Sequence, residues 1–216
     1  MTKRVAVLLS GRGSNFQSLL NASLKGSLGG EISLVISNRL GAGGLSIAQN
    51  AGIETALIDH QRYPTREAFD QDLAGAIDSV QPDLVVLAGF MRILTPEFVA
   101  RFSERLMNIH PSLLPLYPGL HTHQRALDNG DSHAGATVHY VPGELDGGPP
   151  VLQAKVPVNS GDDADALAAR VLAVEHQIYP VAINWHLCGR LTWEDGILKK
   201  DGMTVPPSGE LWESTS

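Results

Sequence analysis

At 216 residues the chain can bury a sizeable core yet stays below the length at which chains commonly divide, so one α/β domain is the expectation. Hydrophobic residues at 43% and charged residues at 18% exclude disorder over most of the length. With 23 acidic against 16 basic side chains the net charge is -7, which argues against a broad nucleic-acid surface.

The single cysteine, Cys188, cannot form an internal disulfide and suits a reducing compartment. The apolar run after Arg4 is too short for a secretion signal, and no run approaches the ~20 residues needed to span a bilayer. A cytoplasmic protein with no membrane partner is expected.

Along the chain, β-branched runs at residues 5–9, 32–36, 54–58 and 83–87 alternate with helical patterns. Such alternation predicts βαβ units and a parallel sheet, a nucleotide-binding half over about residues 1–100. The third helix should start near Thr65, with Glu67 in its first turn and Phe69, Leu73, Ala76, Ile77 and Val80 at helical spacing. A fifth strand at 106–109 leads into a Pro-rich loop.

Strands at 136–141 and 151–156 are separated by a Gly/Pro-rich connection with no room for a crossover helix, which predicts an antiparallel pair. Asp162 or Asp163 should open a long helix running past Ile178, with Pro180 kinking or breaking it. The tail, residues 191–216, carries two short strand-like pieces, then Pro206 and Pro207, and a frayed polar end. The expected fold is a single-domain, mostly parallel Rossmann-like α/β sheet flanked by helices, with an antiparallel extension in the C-terminal half. Residues of about 101–190 would form the second half of that domain.

The first motif, Ser10-Gly11-Arg12-Gly13-Ser14-Asn15, lies where a strand turns into a helix. Glycines let the backbone approach an anion, and the first amides of the helix point at it. Phe16 stands where a dinucleotide fingerprint needs its third Gly, and the Gly-Lys-Ser/Thr of a Walker loop is absent. A cradle for one phosphate, with Gly13, Ser14 and Asn15 as contacts, remains; a plain tight turn is the alternative.

The second constellation is Asn108-x-His110-x-Ser112-Leu-Leu-Pro115, followed by Tyr117-Pro-Gly119-Leu-His121-Thr-His123 and by Asp146-Gly-Gly148. With the Gly11 loop, Leu87-Ala-Gly-Phe-Met-Arg-Ile-Leu94 and Glu175-His-x-Ile-Tyr-Pro180, it resembles the glycinamide ribonucleotide formyltransferases of the folate-dependent formyltransferase superfamily. The resemblance runs in matching order over nearly the whole chain. It implies transfer of a formyl group from 10-formyltetrahydrofolate to the amine of 5-phosphoribosylglycinamide, in purine biosynthesis.

That chemistry passes through a tetrahedral oxyanion before the folate nitrogen departs. Asn108 can donate an amide hydrogen bond to the oxyanion, and protonated His110 can donate another or protonate the leaving nitrogen. Asp146 would stabilise the imidazolium and orient the ring. Asn108 and His110 alternate along a strand end and so face one side. No Gly-x-Ser-x-Gly elbow supports a serine nucleophile. His121, His123 and His139 could join His110 around a metal, but no Cys pair, His-Glu-x-x-His or carboxylate series accompanies them, so no metal is expected.

The resemblance further implies that Met91, Arg92, Ile93 and Leu94 supply backbone contacts to the pterin and that Arg66 meets the glutamate tail; an exposed helix Arg is the plain alternative for Arg66. Val141, Pro142, Gly143, Glu144 and Leu145 resemble the folate-binding loop. His121 would lie near the glycinamide, and Glu175 would bind ribose hydroxyls or the amine side. His139 fills space on its strand. Leu116 stands where relatives can carry a basic residue and Leu172 where similar enzymes carry Gln. Both departures bear on phosphate contact.

Formyltetrahydrofolate hydrolases share Asn108, His110 and Asp146 but carry an N-terminal regulatory domain, for which the start at Met1 leaves no room. Methionyl-tRNA formyltransferases need a C-terminal nucleic-acid domain, which the last ~25 residues cannot form. A non-catalytic nucleotide sensor would keep the Gly11 loop without the Asn-His-Asp set. Partners are therefore expected to be the small substrates alone, with no nucleic acid, and the protein a monomer or weak homodimer.

Overall fold

A computed structural model describes residues 2–141 and 147–213. The chain forms two compact units, Met1–Asn108 and Ile109–Ser216. In the first, β1 (Arg4–Leu9), β2 (Glu31–Ser37), β3 (Glu54–Leu57), β4 (Leu84–Leu87) and β5 (Leu106–His110) lie parallel in the order β3-β2-β1-β4-β5. The connections carry α1 (Ser14–Leu24), α2 (Gly43–Asn50), α3 (Arg66–Ser79) and α4 (Pro96–Arg101). Val5 to Leu9 and Leu84 to Leu87 are buried throughout, the unbroken apolar pattern of central strands covered on both faces. The chain winds outward from β1 to β3 and then returns to β4 on the other side of β1. The loops after β1 and β4 therefore flank a topological switch point, the place where open parallel sheets bind ligands.

In the second unit β6 (His133–Tyr140) and β7 (Pro150–Pro157) pair antiparallel, as expected from the short connection. α5 (Thr122–Asp128) precedes them, and α6 (Ala164–Leu187) packs on both. Asp163 caps α6, its side chain accepting from the Ala166 amide at 2.8 Å. β5 crosses the boundary between the units, so its last residues open the second.

Two expectations are corrected. Of the kink or break expected at Pro180, the break does not occur: α6 continues through it for 24 residues. Pro180 takes the donor from one intrahelical bond, but Ile178, Tyr179, Ala182 and Ile183 around it are fully buried and packing holds the turn. Among its described residues the tail has four short strands, not two. β8 (Leu191–Glu194), β9 (Ile197–Lys200) and β10 (Met203–Thr204) form a small antiparallel sheet, and β11 (Glu210–Leu211) adds a parallel edge to β7. The buried face of α3 is Phe69, Asp70, Leu73, Ala74 and Ile77, whereas Ala76 and Val80 are only half-buried.

Candidate active site

The loop after β1 turns into α1 through Gly13, whose φ of 83° is left-handed. A Cβ on Gly13 would stand 2.6 Å from the Gly44 Cα, so a glycine is required by backbone and by neighbour alike. The Gly44 amide in turn donates to the Gly11 carbonyl at 3.2 Å, seating the start of α2 under the loop. Gly13, the N-cap of α1, has no side chain to cap the helix, and exposed Ser14 and half-buried Asn15 follow it in the first turn. Such an end favours an anion.

The loop after β4 carries residues 91–94. The Met91 amide donates to the Ser10 hydroxyl at 2.8 Å, and the Thr95 amide donates to the buried Asp70 carboxylate on α3 at 2.6 Å. Between these bonds the Arg92 guanidinium lies over the Phe69 ring, 4.8 Å from its centroid. α3 thus brings the 91–94 segment beside its own first residue, Arg66, which is exposed. A cation there gains nothing from the helix dipole.

On β5, Asn108 is half-buried and His110 buried, two residues apart and therefore on one face of the strand. The His110 Nε2 lies 2.9 Å from the Tyr117 carbonyl. The loop between them is tightly tied. The Ser112 hydroxyl donates to the Leu116 carbonyl at 2.6 Å, the Thr137 hydroxyl donates to the Ser112 carbonyl at 2.7 Å, and the Leu114 amide donates to the Thr137 oxygen at 3.0 Å. The Gln153 amide closes the group, donating to the Leu114 carbonyl at 2.7 Å. Tyr117 has φ of 54°, and its hydroxyl donates to Asp131 at 2.6 Å.

His121, also left-handed at φ of 58°, is exposed at the start of α5. Burial, and secondarily the nearby His110, push the His123 imidazole below its ordinary pKa. His139 is buried with its Nδ1 2.9 Å from the Tyr140 carbonyl. Glu175 is buried on α6 beside His176, whose pKa burial also lowers. Val141 follows the end of β6; Pro142, Gly143, Glu144, Leu145 and Asp146 lie outside the described residues. Among the described residues no group of three or more His, Cys, Asp or Glu side chains could hold a metal ion.

A family model described as formyl transferase matches residues 3–183. The chain belongs to this formyl transferase family. It is 50% identical over 205 residues to a phosphoribosylglycinamide formyltransferase of Escherichia coli (strain K12), covering 95% of this chain and 97% of that one. A relative of the same name from Haemophilus influenzae is 44% identical, over 96% and 98% of the two chains. The solved phosphoribosylglycinamide formyltransferase of Coxiella burnetii superposes with a TM-score of 0.94 at 44% identity, over 99% of this chain and all of that one.

Within this formyl transferase frame, Leu116 is exposed and Leu172 half-buried on α6. Sequence reasoning missed the residues that hold the loops: Ser10, Asn38, Asp70, Thr137, Gln153 and the Gly43-Gly44 pair. The three glycines at 41, 43 and 44 were a readable signal of close approach, while the others are buried polar residues whose partners lie far along the chain, so no local pattern marks them.

Proposed function

We propose that the chain transfers the formyl group of 10-formyltetrahydrofolate to the amine of 5-phosphoribosylglycinamide, a step of purine biosynthesis. The near end-to-end similarity to formyltransferases carrying that name supports it. The amine attacks the formyl carbon, the tetrahedral oxyanion collapses, and the folate nitrogen leaves with a proton.

In this reading Asn108 and His110 donate to the oxyanion, His110 relays the proton, and Asp146 steadies the imidazolium. The glycine-led start of α1, with Gly13, Ser14 and Asn15, holds the nucleotide phosphate. His121 and Glu175 serve the glycinamide and ribose. Residues 91–94 receive the pterin through their backbone, Val141, Pro142, Gly143, Glu144 and Leu145 form the folate loop, and Arg66 meets the glutamate tail. The chain acts as a single formyltransferase domain, without a metal and without nucleic-acid or membrane partners, as a cytoplasmic monomer or weak homodimer.

Incubation with 10-formyltetrahydrofolate, with and without the ribonucleotide, tests the activity. Formylation of the amine with matching release of tetrahydrofolate is expected only when both substrates are present. Donor hydrolysis at an equal rate without the nucleotide would make the protein a hydrolase instead.

A further inference from the structure

Residues 88–95 form no regular element, and the Met91 and Thr95 amides take side chains as partners. Two buried groups supply them from opposite sides. Ser10 accepts from the Met91 amide and Asp70 from the Thr95 amide. The Ser10 hydroxyl has one proton, and it goes to Asn38 Oδ1 at 2.6 Å, which turns an oxygen lone pair toward Met91. Asn38 is buried at the end of β2, and its carbonyl lies 2.7 Å from His60 Nδ1. A carbonyl only accepts, so that nitrogen carries the proton. The donors therefore converge on Asn38, the Met91 amide donating to Ser10 and Ser10 to the Asn38 side chain, while His60 donates to the Asn38 backbone carbonyl. Meanwhile the side chains of Met91 and Ile93 remain 60% and 57% exposed, so the segment is held through its backbone and by Arg92 on Phe69.

We propose that Ser10, Asn38 and Asp70 are positioning residues for the folate: they hold the 91–94 backbone in the conformation that receives the pterin, and they set folate affinity without touching substrate. This rests on the reading of 91–94 as the pterin segment. Removing either clamp frees the segment at one end, and loss of one such hydrogen bond is worth roughly tenfold in affinity.

The test uses Ser10→Ala and Asp70→Ala, with Ser10→Thr and Asp70→Asn restoring an acceptor at each place. Thermal melting selects the folded variants, and Ser10→Ala alone decides the outcome if Asp70→Ala does not fold. Steady-state kinetics then separate the two substrates, while amide hydrogen exchange of a peptide covering 88–95 is followed with and without tetrahydrofolate. The expected result is protection of that peptide by tetrahydrofolate in the parent, faster exchange in the alanine variants, and a folate KM raised roughly tenfold. Ribonucleotide KM and kcat should stay within about twofold, with Ser10→Thr and Asp70→Asn near the parent. If tetrahydrofolate leaves the parent peptide unprotected, the pterin reading itself fails and this proposal with it. If the peptide is protected but every folded variant keeps the parental folate KM, the pterin reading stands and the positioning role is overturned.

Discussion

The Nε2 of His110 lies 2.9 Å from the carbonyl oxygen of Tyr117, and because a carbonyl only accepts, that nitrogen carries a proton. That nitrogen is thereby anchored to the loop that Thr137 and Gln153 clamp. A preoriented imidazole acts in the transition state more than in substrate binding, so His110→Ala should lower kcat by roughly 10²- to 10⁴-fold with small changes in either KM. Asp146→Ala should behave alike, and the double variant should fall well short of the product of the two effects. Near-normal turnover in both single variants would remove these residues from the chemistry.

Chelation should leave turnover intact. The formyl donor is already activated, and the described histidines and carboxylates gather no set of three that could hold an ion. Assaying after exhaustive dialysis against a chelator is sufficient. Activity lost on dialysis and regained with one divalent ion would count against a metal-free mechanism.

Stability should fall on mild acidification. Burial holds His123 and His176 below the ordinary histidine value of 6.5, so the fold favours their neutral forms. Their contribution is full above about pH 6.5 and is lost as pH drops through the lower folded values. Asp162 acts in a separate window. Two hydrogen bonds from Arg170, at 2.6 and 2.9 Å, hold its carboxyl at about 2, so its contribution survives until pH falls below 3.8. Melting temperatures across pH 4.5 to 7.5 should decline below 6.5, less steeply in a His123→Asn, His176→Gln variant. An identical slope in that variant would assign the decline to other groups.

How much of this could be read beforehand depended on how far apart the cooperating residues lie. β1 was placed at 5–9 and is Arg4–Leu9, because strands buried on both faces leave continuous apolar runs. Thr65 was legible as a helix start, and its hydroxyl does accept from the Ala68 amide. Asn108 and His110 were legible because two positions on one strand share a face. β11 was not: two residues have no period, and their place is fixed by pairing with distant β7, with the Trp212 amide bonding the Gln153 carbonyl at 2.7 Å. Nor was the bond from Met91 to Ser10, which joins residues 81 positions apart that no local pattern connects.

The same distance effect decides how the phosphate loop should be tested. Gly13→Val is the obvious variant, but a Cβ there meets the Gly44 backbone at 2.6 Å and sits at a left-handed φ, which alone costs about 1–2 kcal/mol for a residue with a side chain. Gly13→Ala should therefore lower the melting temperature whatever the loop binds, and a kinetic defect in it would not distinguish turn from anion site. Gly11 separates the two. A Cβ on Gly11 has no heavy atom within 4 Å among the described residues, and its backbone is not left-handed, so Gly11→Ala should melt with the parent. If a phosphate approaches this loop, the added methyl meets the ligand instead of the protein, and KM for the ribonucleotide should rise roughly tenfold, the loss of about one good hydrogen bond. Folate KM and saturated turnover should be nearly unchanged, since Asn108 and His110 lie on β5 and are untouched. A stable Gly11→Ala protein with the parental ribonucleotide KM would reduce the start of α1 to a turn whose glycine at position 13 serves only its contact with Gly44.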